Sequence, residues 1–465
     1  MKLTIDNSTC LLQASVKYEI EVLAELDEEF AIEIPNHWFS PRFRKGDWDG
    51  KYHAVRIRGT AGRFETGFLG EVLDFLKERK VKLSIAEKRV TPDTEKMLSK
   101  IQPKMLKPVR KFRKLRKYQL KATRRVVKNQ RGILALATNT GKTAIAAAAL
   151  KAIDLPALHL APNKDVLFQT QKDFHEFLGE PIGSAVEGKL VEEKIVVGLP
   201  QTATKFKKYL KKVGAIIVDE CQHMRANLWY NIVKACKNAP FRIGLSGTPY
   251  GDDIAERKLT GATGPIIYTI SNKFMIKKGY SAEPIILFLK IEQPEIEYLS
   301  YEKAYKQGIV QSIARNQRIV EMCVAAEEKQ KLILVFEMEH GKRLLKLLSN
   351  QDIAAQFIHG SETMETRTKA KQRFKAGKLK TLIASTIFDE GVDIPNIEIL
   401  IIASGWKTPM RFLQRVGRAM RQKEGKANIV IVADFLDLSN FYLLTHSYER
   451  YQTAKAEGFR IEVEK

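Results

Sequence analysis

The segment Ala137-Thr138-Asn139-Thr140-Gly141-Lys142-Thr143 constrains the fold more than any other part of the chain. It follows the apolar run Gly132 to Leu136, which predicts a buried strand, and precedes the Ala-rich run Ala144 to Leu150, which predicts a helix. A strand, a tight turn and a helix N-terminus together make a phosphate cradle, because exposed backbone N–H groups and the helix dipole both favour an anion there. Thr138, Asn139, Thr140, Gly141, Lys142 and Thr143 would line it. Lys142 would reach the β- and γ-phosphates of a nucleotide, and the Thr143 hydroxyl would hold Mg²⁺. Leu136 stands where such a loop usually opens with Gly, and Asn139 where many carry a second Gly. Asn tolerates positive φ better than most residues, so the turn survives.

A second apolar run, Gly214 to Val218, ends in Asp219-Glu220-Cys221-Gln222-His223. Carboxylates at the C-terminal end of a parallel strand sit at the mouth of an open α/β sheet, where ligands bind. Asp219 is placed to hold Mg²⁺, and Glu220 to orient or deprotonate an attacking water. A third strand-like run, Phe241 to Leu245, enters Ser246-Gly247-Thr248-Pro249. Further on come Ser385 to Pro395 and Gln414-Arg415-Val416-Gly417-Arg418-Ala419-Met420-Arg421, in which Arg418 and Arg421 stand three apart and would share one face of a helix that begins near Thr408.

With the P-loop, the Asp-Glu-x-x-His box, the Ser-Gly-Thr-Pro element and the Gln-x-x-Gly-Arg-x-x-Arg element in family order, the chain resembles the superfamily 2 helicases from about Leu115 to Phe435. The resemblance implies two tandem RecA-like parallel-sheet domains and ATP hydrolysis. It assigns Gln119, with Tyr118 beside it, to the adenine pocket. Gln414, Arg418 and Arg421 go to the γ-phosphate, where guanidinium groups stabilise the spread charge. Pro162, Asn163, Gln201, Thr202 and Gly391 match the elements that grip the nucleic-acid backbone, which would give little base selectivity. His223, Ser246, Gly247 and Thr248 would couple that grip to hydrolysis.

The N-terminal block resembles the small first domain of phage UvsW-type helicases through Trp48-Asp49-Gly50-Lys51, after a basic-aromatic run and before Gly67-Phe68-Leu69. Cys221-Gln222-His223 after the Asp-Glu pair brings the body closer to UvsW/XPB/RecG-like DNA translocases than to DEAD-box RNA proteins. This implies a helicase or translocase acting on forks, four-way junctions and RNA–DNA hybrids, moving 3′ to 5′, in recombination, repair or replication. Arg42, Arg44, Lys45 and Lys51 are the expected DNA contacts of that block, and core packing is expected for Trp38 or Trp48. An RNA helicase, the motor subunit of a restriction system, and a nucleic-acid-binding protein with a decayed ATPase are the alternatives.

Bulk properties agree with this organisation. A 465-residue chain exceeds one compact core, so several domains are expected. A net charge of +24 favours a polyanionic partner. No apolar stretch is long enough to span a membrane and no signal-peptide core opens the chain, so single- and double-stranded DNA is the expected partner and cytoplasm (a host cell's, if phage-encoded) the expected location. A monomer is expected. The four cysteines lie far apart without metal-ligand spacing and read as reduced structural thiols.

The expected organisation is a small α+β DNA-binding domain over 1–100, with one helical segment at Gly70 to Lys80. A basic linker over 101–114 and an ATP-binding lobe over 115–283 follow. A connection over 284–305, a second lobe over 306–435 and a helical extension over 436–465 complete the chain.

Overall fold

A computed structural model describes the whole chain except residues 110–111, 250–252, 295, 297–299, 386–395, 406–407, 423–427 and 465. It divides into two compact units, Met1–Leu136 with Gly141–Thr269, and Ile270–Lys465 with Ala137–Thr140.

The first unit holds two main sheets that build separate layers, and a two-stranded antiparallel pair, Ala31–Glu33 with Lys51–His53. The larger one has eight strands in the order Lys189–Val191, Gly183–Val186, Ile195–Gly198, Ala157–Leu160, Ala215–Asp219, Phe241–Ser246, Arg131–Leu136, Ile266–Ile270. Its central strands pair in parallel. Ala157–Leu160 and Ile195–Gly198 are buried at every residue, the mark of a parallel strand covered on both faces. Leu136, the residue in place of the usual loop glycine, ends its strand fully buried and so serves the core.

The smaller sheet belongs to the N-terminal block and has five strands. The helix over Leu69–Glu78 lies where the sequence predicts one, but a second helix, Lys17–Phe30, was not expected. Its buried residues Val22, Leu23, Leu26 and Phe30 follow helical spacing, while Glu25, Asp27, Glu28 and Glu29 between them mask the pattern. Neither Trp38 nor Trp48 is core, contrary to expectation. Trp38 is 49% exposed and Trp48 half-buried, its indole N–H donating to the Lys51 carbonyl at 2.9 Å. The segment around them is a tight chain of turns and short elements, too small to enclose a large ring.

This block is docked on the larger sheet's layer. The buried Glu65 carboxylate accepts from Tyr230 Oη at 2.6 Å and pairs with Lys234 Nζ at 2.9 Å. Arg257 pairs with Glu71 at 2.6 Å and lies 5.2 Å from the Phe30 ring centroid. Gly67 approaches the helix Asp253–Thr263 so closely that a Cβ there would stand 1.8 Å from the Thr260 carbonyl oxygen. The stretch expected as a basic linker is likewise pinned down. The Lys107 N–H donates to the Phe177 carbonyl, Phe112 packs edge-on to Phe177 at 5.0 Å, and Leu106 and Leu115 are buried.

The second unit is built on a seven-stranded parallel sheet ordered Ala355–Ile358, Thr381–Ala384, Lys331–Leu334, Ile399–Ile402, Ile429–Asp437, Glu283–Ile291, Arg460–Val463. Two departures from the expected organisation stand out. Glu283–Ile291 lies where a connection was expected, yet it is a nine-residue strand paired on both sides, with Pro284, Ile286, Phe288, Leu289 and Ile291 buried. The C-terminal extension contributes the helix Phe441–Ala456 and then an edge strand, Arg460–Val463. Among the described residues, no helix is long and apolar enough to cross a membrane.

Candidate functional site

The site is built by the C-terminal ends of the central parallel strands of the first unit. Sheet order sets their loops in a row: Gln201–Thr202 after Ile195–Gly198, Pro162–Asn163 after Ala157–Leu160, Asp219–Glu220, Ser246–Thr248, and then the P-loop after Arg131–Leu136. The two carboxylates and the Ser-Gly-Thr loop therefore stand between the expected phosphate cradle and the expected strand grip.

In the P-loop, Asn139 takes φ +64 and Gly141 φ +77, so Asn does occupy the left-handed position that a glycine would otherwise fill. Thr140 is buried and its hydroxyl donates to the Ala137 carbonyl at 2.8 Å, closing the turn. Gly141 is the N-cap of the helix Lys142–Ile153, and no side chain caps that end, which leaves the helix N-terminus facing the cradle. Thr143, in the first turn, is half-buried. Gln119 is buried against this loop: a Cβ on Gly141 would lie 2.5 Å from its amide nitrogen. Its Oε1 accepts the Arg116 N–H at 2.8 Å, so it also closes the start of the helix Lys117–Asn129. Tyr118 is buried beside it with its hydroxyl on Arg116 Nη1 at 3.2 Å.

Lys142 Nζ reaches Glu220 Oε1 at 3.3 Å. Glu220 takes φ +48, a strained choice for a residue with a Cβ, which turns its side chain back towards Lys142. Burial and the neighbouring Glu220 charge push Asp219 up to about 6. Burial works in the same direction on Glu220, but Lys142 and the Gln222 amide outweigh it and hold that carboxylate below its usual range. The pair is thus split into one carboxyl that takes a proton easily and one that stays ionised. Asp219 fits a cation site on chemical grounds, because a divalent ion would reverse the desolvation that now raises it. The Thr143 hydroxyl and phosphate oxygens would complete the hard oxygen set that Mg²⁺ prefers.

Gln222 is a functional candidate that sequence reasoning misses. It is buried, donates from Nε2 to Glu220 Oε2 at 2.8 Å, and accepts from Ser246 Oγ at 2.6 Å. Ser246 Oγ in turn accepts the Thr248 N–H at 3.0 Å. Lys142, Glu220, Gln222, Ser246 and Thr248 therefore form one unbroken polar chain. Gly247 lies beside it, 3.3 Å by a notional Cβ from the Leu136 carbonyl. The only signal in the sequence is the position of Gln222 two residues beyond Glu220. His223 stacks on Trp229 at 5.4 Å and 21°, at the head of the helix that carries Tyr230 and Lys234.

Asn163 caps the helix Lys164–Leu178, its Oδ1 accepting the Val166 N–H at 3.0 Å. Pro162 precedes it in the loop. Thr202 is buried and accepts the Gly188 N–H at 3.3 Å, while Gln201 is exposed. Arg42, Arg44, Lys45 and Lys51 are all exposed, around the exposed rings of Trp38 and Phe39. In the second unit, Gln414 and Arg418 lie one turn apart on the helix Pro409–Ala419. Contrary to expectation Arg421 does not share a helix face with Arg418, because the helix stops at Ala419 and the Arg421 backbone bridges to Ser281 instead; burial lowers its guanidinium to about 10. Gly391 lies outside the described residues. Cys10, Cys221, Cys236 and Cys323 are buried free thiols, and no His, Cys, Asp and Glu cluster suited to a metal occurs among the described residues.

Two family models match this arrangement: the type III restriction enzyme, res subunit, over residues 112–251, and the helicase conserved C-terminal domain over residues 314–423. The chain is a superfamily 2 helicase. It is 25% identical over 483 residues to the ATP-dependent DNA helicase uvsW of Enterobacteria phage T4, covering 94% of this chain and 94% of that protein. It is also 26% identical over 357 residues to the DNA 3′–5′ translocase XPB2 of Sulfurisphaera tokodaii, covering 68% of this chain and 80% of that protein. The structure of S. cerevisiae Dbp5 bound to RNA and ADP BeF3 matches with a TM-score of 0.54 at 17% identity, over 80% of this chain and 93% of that one. That likeness concerns the fold, and the two parallel-sheet bodies of this helicase are tandem RecA-like domains. As a member of this superfamily the chain is a nucleotide-hydrolysing enzyme.

Proposed function

We propose that this helicase is an ATP-driven DNA translocase that moves 3′ to 5′ and remodels forks, four-way junctions and RNA–DNA hybrids. The observation that carries the proposal is the polar chain from Lys142 through Glu220 and Gln222 to Ser246. It lies between the phosphate cradle and the loops suited to a DNA backbone, so a change at one end is felt at the other. Similarity to a phage DNA helicase along nearly the whole chain supports DNA as the track, and the +24 charge supports a polyanion.

In this reading the ion pair with Glu220 is the resting position of Lys142. The triphosphate draws Lys142 away to its β- and γ-oxygens, and the carboxylate is released to orient the attacking water and accept its proton. Asp219 and Thr143 would hold Mg²⁺, whose charge would offset that of the phosphates. Gln119 and Tyr118 hold the base, and Gln414, Arg418 and Arg421 stabilise charge on the transferring phosphoryl group. Pro162, Asn163, Gln201, Thr202 and Gly391 hold the strand, while Arg42, Arg44, Lys45 and Lys51 hold the branched duplex. The enzyme works as a monomer in the cytoplasm of the cell that makes it.

The deciding experiment compares unwinding of a four-way junction, a simple fork and an RNA duplex by parent and Lys142→Ala protein. The junction and fork should be resolved by the parent alone, with DNA binding retained in the variant. Efficient unwinding of the RNA duplex but not of DNA, or turnover by the variant, would defeat the reading.

A further inference from the structure

Between Glu95 and Asp154 the chain carries no carboxylate. The helix Lys117–Asn129 lies in this stretch, and its side chains divide cleanly. Tyr118, Gln119, Leu120, Ala122, Thr123, Val126 and Val127 are buried. Lys117, Lys121, Arg124, Arg125 and Lys128 are exposed. At about 100° per residue these five cations fall within an arc of about 100° and run along about 16 Å of helix. Among the described residues none of them is paired with a carboxylate. Arg124 Nη2 reaches only the Ile101 carbonyl at 3.4 Å, and Lys121 Nζ lies 5.7 Å from the Tyr268 ring centroid. The longer surface helix Lys164–Leu178 of the same unit mixes its charges, with Lys164, Asp165, Lys172, Asp173 and Glu176. Five like charges held side by side repel one another, so the stripe carries a standing repulsion that a polyanion would relieve.

The stripe lies apart from the proposed strand path. Sheet order places Arg131–Leu136 and Ile266–Ile270 at one end of the larger sheet, and the strands that carry Asn163 and Gln201 towards the other. Its chemistry also differs from that of a single-strand groove. Single strands are held by aromatic platforms on which bases stack. The exposed arc of this helix carries no aromatic ring, and the neighbouring Tyr268 has Lys121 over its face. A straight row of long cationic side chains suits a rigid rod of phosphates. Duplex DNA supplies one charge per about 1.7 Å, so about ten lie alongside the stripe.

We infer that the outer face of the helix Lys117–Asn129 is a second DNA site, which takes the phosphate backbone of a duplex arm without reading its sequence. The inference rests on the DNA-translocase reading and deepens it. Because Gln119 on the opposite face of this helix touches the P-loop, the duplex contact is held by the same rigid element as the nucleotide pocket.

The test is the fourfold variant Lys121→Gln, Arg124→Gln, Arg125→Gln, Lys128→Gln, with folding checked by circular dichroism. Affinity for a blunt duplex and for a thymidine single strand is measured across a salt series. The duplex log–log slope should fall by about 0.9 for each phosphate that is no longer neutralised, up to about 3.6 for all four. The single-strand slope, and ATP hydrolysis at saturating single strand, should match the parent. A charge-preserving variant, Lys121→Arg, Arg124→Lys, Arg125→Lys, Lys128→Arg, should keep the parent slope. An unchanged duplex slope in the folded glutamine variant overturns the inference. So does an equal fall on single strand, or a loss confined to binding of phosphatidylserine vesicles. Failure of the parent to hydrolyse ATP in response to DNA would instead overturn the translocase reading, whatever the slopes show.

Discussion

Replacing Gln222 with Leu tests the polar chain at its centre. The substitution keeps most of the side-chain volume of a buried residue and removes both of its hydrogen bonds. The bond to Glu220 Oε2 at 2.8 Å is made to a carboxylate that is held ionised, so it belongs to the stronger, charge-assisted class, about 1.5–3 kcal/mol. If that contribution holds Glu220 in the orientation that positions water, its loss raises the barrier by the same amount. At about 1.4 kcal/mol per decade, kcat falls roughly 10- to 100-fold. ATP affinity should stay near the parent value, because the Gln222 amide is engaged by Glu220 and Ser246 and the cradle itself is untouched.

The assay is steady-state ATP hydrolysis at saturating DNA and ATP, with nucleotide affinity measured separately by a fluorescent analogue. Ser246→Ala serves as the graded control. It breaks the neutral 2.6 Å bond to Gln222, a contribution of about 0.5–1.5 kcal/mol, together with the 3.0 Å bond from the Thr248 N–H, and leaves the Glu220 bond in place. Its kcat should fall by roughly tenfold at most, with unwinding falling further than hydrolysis. The double variant should be no worse than Gln222→Leu alone, since both changes cut one chain. A kcat within twofold of the parent for folded Gln222→Leu would refute the argument.

Glu220→Gln should bind ATP normally and lose turnover, measured as nucleotide affinity against single-turnover hydrolysis. Asp219 should lose its charge at a higher pH than an ordinary carboxylate, so half-saturation by Mg²⁺ should shift to higher concentration as pH falls through about 6, and Asp219→Asn should erase that shift. Equal half-saturation above and below that pH would count against the metal role. Gly67→Ala should destabilise the first unit by about 1–3 kcal/mol or more, read by denaturant unfolding, because its Cβ meets backbone rather than a yielding side chain.

The elements that sequence patterning places well are those in which one short segment carries both signal and structure. The P-loop is a strand end, a turn and a helix start in consecutive residues, and even the positive φ of Asn139 could be anticipated from its side chain. The apolar runs that end at Leu136, Val218 and Leu245 likewise announce three neighbouring strands of the larger sheet. What escapes depends on partners distant in sequence. Gln222 acquires meaning only when Ser246 is folded against it. The strand Glu283–Ile291 reads as a connection because only its neighbours Ile429–Asp437 and Arg460–Val463, far downstream, pair it on both sides. Trp38 or Trp48 is expected inside because large apolar rings usually are, yet a segment of turns offers no second layer to cover either.

The same distinction explains the N-terminal block. A basic-aromatic run beside Gly67 suggests a separate module, and nothing local shows how such a module is held. Folding answers with a buried Glu65 whose oxygen is shared by Tyr230 and Lys234, and with a glycine that lets two backbones touch. A buried carboxylate is a poor source of net stability, since desolvation cancels much of the attraction. An apolar patch could hold the block with less desolvation, but it would tolerate sliding. A charged group with only one satisfied position does not, because leaving Glu65 or the Tyr230 hydroxyl without its partner costs about 1–3 kcal/mol. The interface thus fixes orientation more than it adds affinity. The helix it grips, Asn227–Ala235, also carries in its first turn Trp229, on which His223 of the Asp-Glu-x-x-His box stacks. The exposed Trp38, Phe39, Arg42 and Arg44 are therefore carried at a set orientation to the carboxylates that the catalytic reading depends on, which a flexible tether would not provide.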